Sequence, residues 1–236
     1  MLLRVLIRLR RMGPAIGLAC LHLFCRRTDF ADRTQVVEAV EKFVADGGQV
    51  TPVAMLGHKA DIAFMALADD QWKLRRFQTA LQVAGLEIGD SYVSLTEISE
   101  YAGDISEGMK KPRLYPQIPI EGKNAWCFYP MSKSRGETNN WFALDFEKRK
   151  ELMHGHGKSG REFAGRVQQI VTGSTGLDDY EWGVTLFANG PEDLKEVVYT
   201  MRFDEASALY GEFGAFYTGV VGTLDQVLDA TEIRNA

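Results

Sequence analysis

Positive charge is in short supply. The chain carries 27 Lys and Arg against 32 Asp and Glu, for a net charge of -5. No basic run interleaved with aromatics occurs in its body, so the electrostatic footprint of a DNA- or RNA-binding domain is missing. Cysteine is equally scarce: Cys20, Cys25 and Cys127 form neither a paired framework nor a metal-ligand spacing. A disulfide scaffold is thereby excluded, and buried thiols in a reducing, cytoplasmic setting are expected. Long apolar runs are absent too, and nothing approaches the ~20 residues of a transmembrane helix. Arg4, Arg8, Arg10 and Arg11 precede a mildly apolar stretch at 14–24 in loose imitation of a signal peptide. His22 interrupts that stretch, no small-x-small site follows, and Arg26-Arg27 stands where the polar region belongs. Residues 1–16 therefore read as an N-terminal extension, with export or membrane association as the alternative.

What is present is ordinary for a folded protein: 236 residues, 45% of them apolar, enough for one large domain or two of about 120 residues. Alternation predicts a strand over 17–25. Val36, Val37, Val40, Phe43 and Val44 take helical spacing over 34–46, which Gly47-Gly48 ends. Strands at 49–56 and 60–67 meet at Gly57-His58-Lys59 as a hairpin, a helix follows over 70–84, and 92–98 alternates as a strand. The order is β-α-β-β-α-β. Between 100 and 123, Gly, Pro and charge predominate, and Pro112, Pro116 and Pro119 predict a linker with neither ladder nor helix. The same order then returns: strand 125–133, helix 146–166, strand 167–174, a turn at 176–179, strand 181–188, a helix opened by Pro191, and a last strand at 215–221. The fold class is α+β, with halves at 17–103 and 124–236 joined by a linker at 104–123. Each sheet covers the other's open face.

Side chains on a strand alternate, so Tyr129, Met131 and Lys133 share one face of 125–133 while Phe128 and Pro130 take the other. On helix 146–166, at ~100° per residue, Leu152, Met153, His156, Gly160, Phe163 and Val167 fall in one apolar sector, and His154 lies opposite. His156 is thus turned inward, either as a hydrogen-bonded core residue or as a metal ligand. Gly157, Gly160 and Ala164 leave one side of the helix bare, at about 1 kcal/mol per Gly relative to Ala. Either something flat comes close there or the helix packs tightly on a sheet. On spacing alone Lys133 is a solvated lysine, Ser207 a surface helix serine and Gln169 a polar edge residue. Asp178-Asp179 reads as a turn, and ion pairs to Glu162, Asp204 or Glu205 account for Arg161 and Arg202.

Several motifs together say more than any one of them: Tyr129-Pro-Met-Ser-Lys133, His154-x-His-Gly157, Gly160-Arg161, Thr172-Gly-Ser-x-Gly-Leu-Asp-Asp-x-Glu-Trp-Gly-Val-Thr-Leu-Phe187 and Met201-Arg-Phe-Asp-Glu-Ala-Ser-Ala-Leu-Tyr-Gly-Glu-Phe-Gly214. As a set they closely resemble the chlorite dismutase-like haem proteins and, within these, the coproheme decarboxylases. The likeness is strong over 113–219, weaker from 20 through Gly57-His-Lys-Ala-Asp61, and fails before 17.

The resemblance implies two ferredoxin-like halves packed as a dimeric α+β barrel, a homopentamer, and a porphyrin in the C-terminal half with His156 as axial ligand. Tyr129 is then the redox tyrosine, and Lys133 pairs with a propionate or manages its proton. Pro130, Met131 and Ser132 line the substrate, and Ser207 and Arg113 bind propionates, although this chain has two more residues between Arg113 and Tyr129 than the family. Gln169 falls at the distal position, where chlorite-degrading members carry arginine. The implied reaction uses hydrogen peroxide to decarboxylate two propionates of Fe-coproporphyrin III (coproheme), substrate and redox centre at once, giving haem b. Transient contact with a coproporphyrin ferrochelatase belongs to the same expectation. The alternatives are a chlorite dismutase-like haem peroxidase and a non-catalytic haem-binding protein.

Overall fold

The computed structural model describes residues 15–102 and 105–235. Arg4, Arg8, Arg10 and Arg11 lie outside the described residues. The apolar stretch after them forms strand β1 (Ile16–Arg27), in which Cys20, Leu23 and Cys25 are fully buried. Helix α1 (Arg33–Ala45) starts at Asp32, whose carboxylate accepts from Gln35 N at 2.8 Å, an ordinary N-cap. Strands β2 (Gln49–Leu56) and β3 (Ile62–Ala68) form the expected hairpin across Gly57, whose φ of 88° suits only glycine at low cost. Helix α2 (Gln71–Val83) and strand β4 (Leu86–Glu97) complete the first half. The second half repeats the order with β5 (Ala125–Lys133), α4 (Phe146–Arg161), β6 (Val167–Gly173), β7 (Trp182–Ala188), α5 (Pro191–Met201) and β9 (Tyr217–Val221). Among the described residues no helix is long and apolar enough to cross a membrane.

The two halves share one sheet. β4 pairs with β6, β2 pairs with β9, and the order β7-β6-β4-β1-β3-β2-β9-β5 closes on itself through β5 and β7. A closed ring leaves no unpaired edge. Each half thus covers the other's open face as expected, and the ladders β4–β6 and β2–β9 join them edge to edge as well. Inside, Phe24, Met65 and Leu67 of the first half meet Trp126, Phe128, Phe187 and Tyr217 of the second. Outside, α1, α2 and the C-terminal helix α7 (Leu224–Ala230) cover the first half, while α5 and Phe163 cover the second.

The linker expectation needs correction, because residues Glu107–Leu114 form helix α3 with Pro112 inside it. A proline inside a helix costs about 3 kcal/mol, but this piece is short and tied down from outside. Thr96 Oγ1 donates to Leu114 O at 2.7 Å, and Gly17 passes so close to that carbonyl that a Cβ would collide with it. Helix α4 also stops at Arg161 rather than 166, because residues up to Gly165, at φ 83°, continue as single turns. Ser207 lies on a helix as read, the short α6 (Glu205–Ala208), but is buried rather than on the surface; β8 (Gly211–Phe213), which pairs with β5 outside the ring, and α7 lay outside the sequence reading.

All three thiols are buried and unpaired, as expected. Burial pushes Cys20 and Cys25 up to about 12 and Cys127 up to about 11, which leaves little reactive thiolate. His22, 1% exposed, lies in the barrel interior with Nε2 2.9 Å from Thr185 Oγ1 and its ring 4.2 Å from that of Phe128. Burial lowers its pKa to about 3, so the folded protein keeps it neutral. An unfolded histidine takes up a proton below about 6.5, so this residue's support for folding is complete above that pH and is lost as pH falls toward 3. Between pH 7 and 5 the loss amounts to about 2 kcal/mol. Urea unfolding of His22→Gln at both pH values should show that much less acid sensitivity than the parent, and equal sensitivity would contradict the assignment.

Candidate functional site

Strand β5 provides the first part of the site. Its ladder with β7 places Tyr129 opposite Val184 and Cys127 opposite Leu186, and β7 in turn sets Val184 against Val171 and Leu186 against Gln169. Residues directly opposite share a face. Tyr129, Val184, Val171, Leu186 and Gln169 therefore lie together on the outer surface of the barrel, where Tyr129 and Met131 pack with Phe163, Leu194 and Val197. The Tyr129 ring stacks on Phe216 at 4.5 Å and touches Phe213 at 5.7 Å. Burial raises its phenol well above the ordinary value, with Cys127 adding to the effect. Gln169 is exposed two strands away. Pro130 is buried on the opposite face, and Ser132 Oγ accepts from Glu181 N at 3.2 Å.

Helix α4 provides the second part. Its N-cap, Asp145, accepts from Lys148 N at 2.8 Å. His156 is half-buried and His154 exposed, as the helical wheel requires. His156 Nδ1 lies 3.1 Å from Asp204 Oδ2 and 3.4 Å from Ser207 Oγ. Burial would raise the Asp204 carboxyl, but hydrogen bonds from His156 and Ser207 outweigh it and hold the group below the usual carboxylate range. Asp204 therefore keeps its charge and favours a proton on Nδ1, the tautomer in which Nε2 has a lone pair for a metal. A cleft lined by Leu152, Gly155, His156 and Asp204 opens beside the imidazole.

Of the two readings of the bare side of α4, its glycines remove tight packing on a sheet. A Cβ built on Gly155 meets nothing within 4 Å, one on Gly157 meets only the end of Arg161, and one on Gly160 meets only Met201 Cε at 4.0 Å. No backbone presses on them, so tight packing on a sheet does not account for the missing bulk. α4 leans on α5 and α6 instead of on the strands. An imidazole anchored at one nitrogen, open space along its helix, and an apolar strand face bearing a phenol suit an iron porphyrin held by His156.

The short helix α6 connects the two parts. Its cap Asp204 holds His156, and its Ala206 carbonyl accepts from Lys133 Nζ at 2.7 Å. Lys133 is 5% exposed, with Nζ 4.8 Å from the centre of the Trp141 ring, so it is no solvated lysine. Burial lowers its pKa to about 8, against the pull of Asp204 and Glu181. Glu181 braces the strand end by accepting from Lys133 N at 3.0 Å and pairing with Arg135 at 2.5 Å. Ser207 is buried against His156. Arg113 stands apart on α3, exposed and donating to Met109 O at 3.1 Å. Arg202 lies over the rings of Tyr199 and Phe203 at 4.2 and 5.0 Å, while Asp204, offered to it from sequence, goes to His156. Trp141, Phe213 and Phe216 were not singled out from sequence, and Asp204 was named only as an ion-pair partner for arginine. Only Asp204 carried a local signal, an Asp three residues ahead of Ser207 at a helix start, and it does accept from Ser207 N at 3.2 Å.

Residues 31–222 match the profile of the family described as Chlorite dismutase. A coproheme decarboxylase of Staphylococcus saprophyticus subsp. saprophyticus is 48% identical over 183 residues, covering 73% of each chain. The coproheme decarboxylase of Staphylococcus carnosus is 42% identical over 232 residues, covering 87% of this chain and 92% of that one. Among solved structures, a heme-binding protein from Thermus thermophilus superposes with a TM-score of 0.83 at 32% identity, over 93% of this chain and 97% of the other.

Proposed function

Because this chain belongs to the chlorite dismutase family, we propose that it is a coproheme decarboxylase, converting two propionates of Fe-coproporphyrin III to vinyls with hydrogen peroxide to give haem b. The observation that carries this reading is the combination, in the second half, of an imidazole anchored through Nδ1 on a glycine-bare helix with a half-buried phenol on an apolar strand face. Relatives at 42 and 48% identity bear that name. Bound at His156, the iron porphyrin supplies one-electron oxidising power drawn from peroxide. Tyr129 gives up its phenolic electron and proton together, then takes a hydrogen atom from the β-carbon of a nearby propionate. The carboxylate leaves as CO₂ while the remaining electron returns to the oxidant, so each vinyl formed consumes one peroxide. Lys133, held at the strand end with a pKa of about 8, is suited to move the proton. Met131, on the same face, lines the substrate, whereas the side chains of Pro130 and Ser132 take the opposite face, so that, contrary to the expectation, these two present only backbone to it. Ser207 and Arg113 answer the remaining propionates, and Gln169 offers an uncharged hydrogen bond to the oxidant. A homopentamer that receives its substrate from a coproporphyrin ferrochelatase, in a reducing cytoplasm, completes the reading.

Mass spectrometry of the porphyrin during stepwise peroxide addition tests it. We expect coproheme to give a mono-vinyl species and then haem b, one equivalent of peroxide per step. Tight haem b binding with no product from coproheme would make the chain a carrier. Bleaching without decarboxylation, or rapid chlorite breakdown, would make it a peroxidase or chlorite-degrading enzyme.

A further inference from the structure

The first half of the chain, 17–103, supplies none of the residues assigned to the reaction, yet one of its motifs, Gly57-His-Lys-Ala-Asp61, reaches across to the second half. The motif is firmly seated. Gly57 makes the turn at φ 88°, Ala60 is 2% exposed, Asp61 N donates to Cys25 O, and Asp61 Oδ2 accepts from Arg27 N, both at 2.9 Å. From this base Lys59 extends to the second half, donating through Nζ to Phe216 O at 2.5 Å and lying 5.3 Å from the centre of the Tyr217 ring.

Phe216 sits at an irregularity. β9 pairs Tyr217 with Phe128 and β8 pairs Phe213 with Met131, so Gly214, Ala215 and Phe216 face only Tyr129 and Pro130. This is a β-bulge, a device that re-aims a side chain next to a site, and it falls at a proline, where a ladder is most easily interrupted. Gly214 donates to Pro130 O at 2.9 Å and has no room for a side chain, since a Cβ would lie 2.7 Å from Pro130 and 2.8 Å from Tyr180. The extra residue turns the Phe216 ring onto Tyr129, 4.5 Å away and 23° from parallel. On the far side, Tyr217 stacks on Phe24 at 3.8 Å and its hydroxyl donates to Asp90. At Phe216 itself the bulge is held from outside by Lys59.

The geometry points to Lys59 as a positioning residue for Tyr129. By fixing the Phe216 carbonyl it fixes the bulge, and the Phe216 ring then sets the plane and shielding of the phenol that has to meet a propionate. Residue type follows function here. A long cation is needed to span from hairpin to bulge, and Gly57 and Asp61 hold the hairpin that launches it. The inference rests on the proposed role of Tyr129, but its structural half is testable without any porphyrin.

In ligand-free protein carrying ring-labelled tyrosine, with Tyr129 assigned through Tyr129→Phe, the Tyr129 ring resonances should carry a ring-current shift from Phe216. Lys59→Met should lose this shift, as should Phe216→Leu, whereas Lys59→Arg, which keeps a donor, should retain it. Lys59 is exposed, so folding should survive the change, and Phe216→Leu tests the ring contact on its own. With coproheme and peroxide, Lys59→Met should keep porphyrin affinity, change the hyperfine pattern of the tyrosyl radical, and slow the first CO₂ release about tenfold, the scale expected when a reacting group is slightly misplaced. A wild-type Tyr129 shift and radical spectrum in Lys59→Met would overturn the inference. If the parent itself releases no CO₂ while its Tyr129 shift still follows residue 59, the proposed function fails and the positioning role stands.

Discussion

Tyr129→Phe is expected to bind coproheme as the parent does and to release CO₂ at least about a thousandfold more slowly. The substitution removes one oxygen and leaves the ring, which Phe213 and Phe216 hold on two sides, so the strand face keeps its shape. What it loses is the only hydrogen on that ring that can leave with an electron. Burial raises the phenol pKa further above neutrality, so at any working pH the group is protonated and must surrender both particles at once. Phenylalanine can do neither. Soret titration measures the unchanged affinity, and headspace CO₂ with porphyrin mass spectrometry measures the lost turnover. Parent-like turnover would remove Tyr129 from the chemistry.

The second large effect concerns the iron. His156→Ala should weaken coproheme binding by more than about a hundredfold, and Asp204→Asn by roughly ten- to a hundredfold, the range typical of a ligand's hydrogen-bond partner. Asp204 accepts from Nδ1 at 3.1 Å and carries a full charge, which makes the opposite nitrogen the better donor to a metal. An amide in its place weakens that push without emptying the site. Metal-free coproporphyrin is the control, since its affinity should respond to neither change. Added imidazole should restore part of the coproheme affinity of His156→Ala. Equal losses for metal-free and iron-bound porphyrin would show that His156 only shapes the pocket.

Much of this was legible in the sequence wherever the signal is local. Strands 49–56 and 125–133 match their observed bounds because alternation and β-branched residues are properties of the segment itself. The orientation of His156 follows from 3.6-residue geometry alone. The barrel's edge ladders were not legible, since pairs such as Leu95 with Gly173 and Val53 with Val221 meet across sequence separations that no window samples. Pro112 misled because its penalty is intrinsic, whereas the ties from Thr96 and Gly17 that hold α3 are tertiary. Ser207 reads as a surface helix serine, but the chain turns at Asp204 to satisfy His156 and turns again at the bulge to reach Tyr129. Both turns answer to partners far off in sequence, and only the first left a local signal, the Asp204 cap.

One four-residue turn of helix grips two groups at once, the imidazole through its leading carboxylate and the buried ammonium through a main-chain oxygen. With iron bound at His156 as proposed, electron richness at the metal and acidity at the lysine would therefore not be separate dials. Any sequence change that shifts residues 204–207 moves both contacts together.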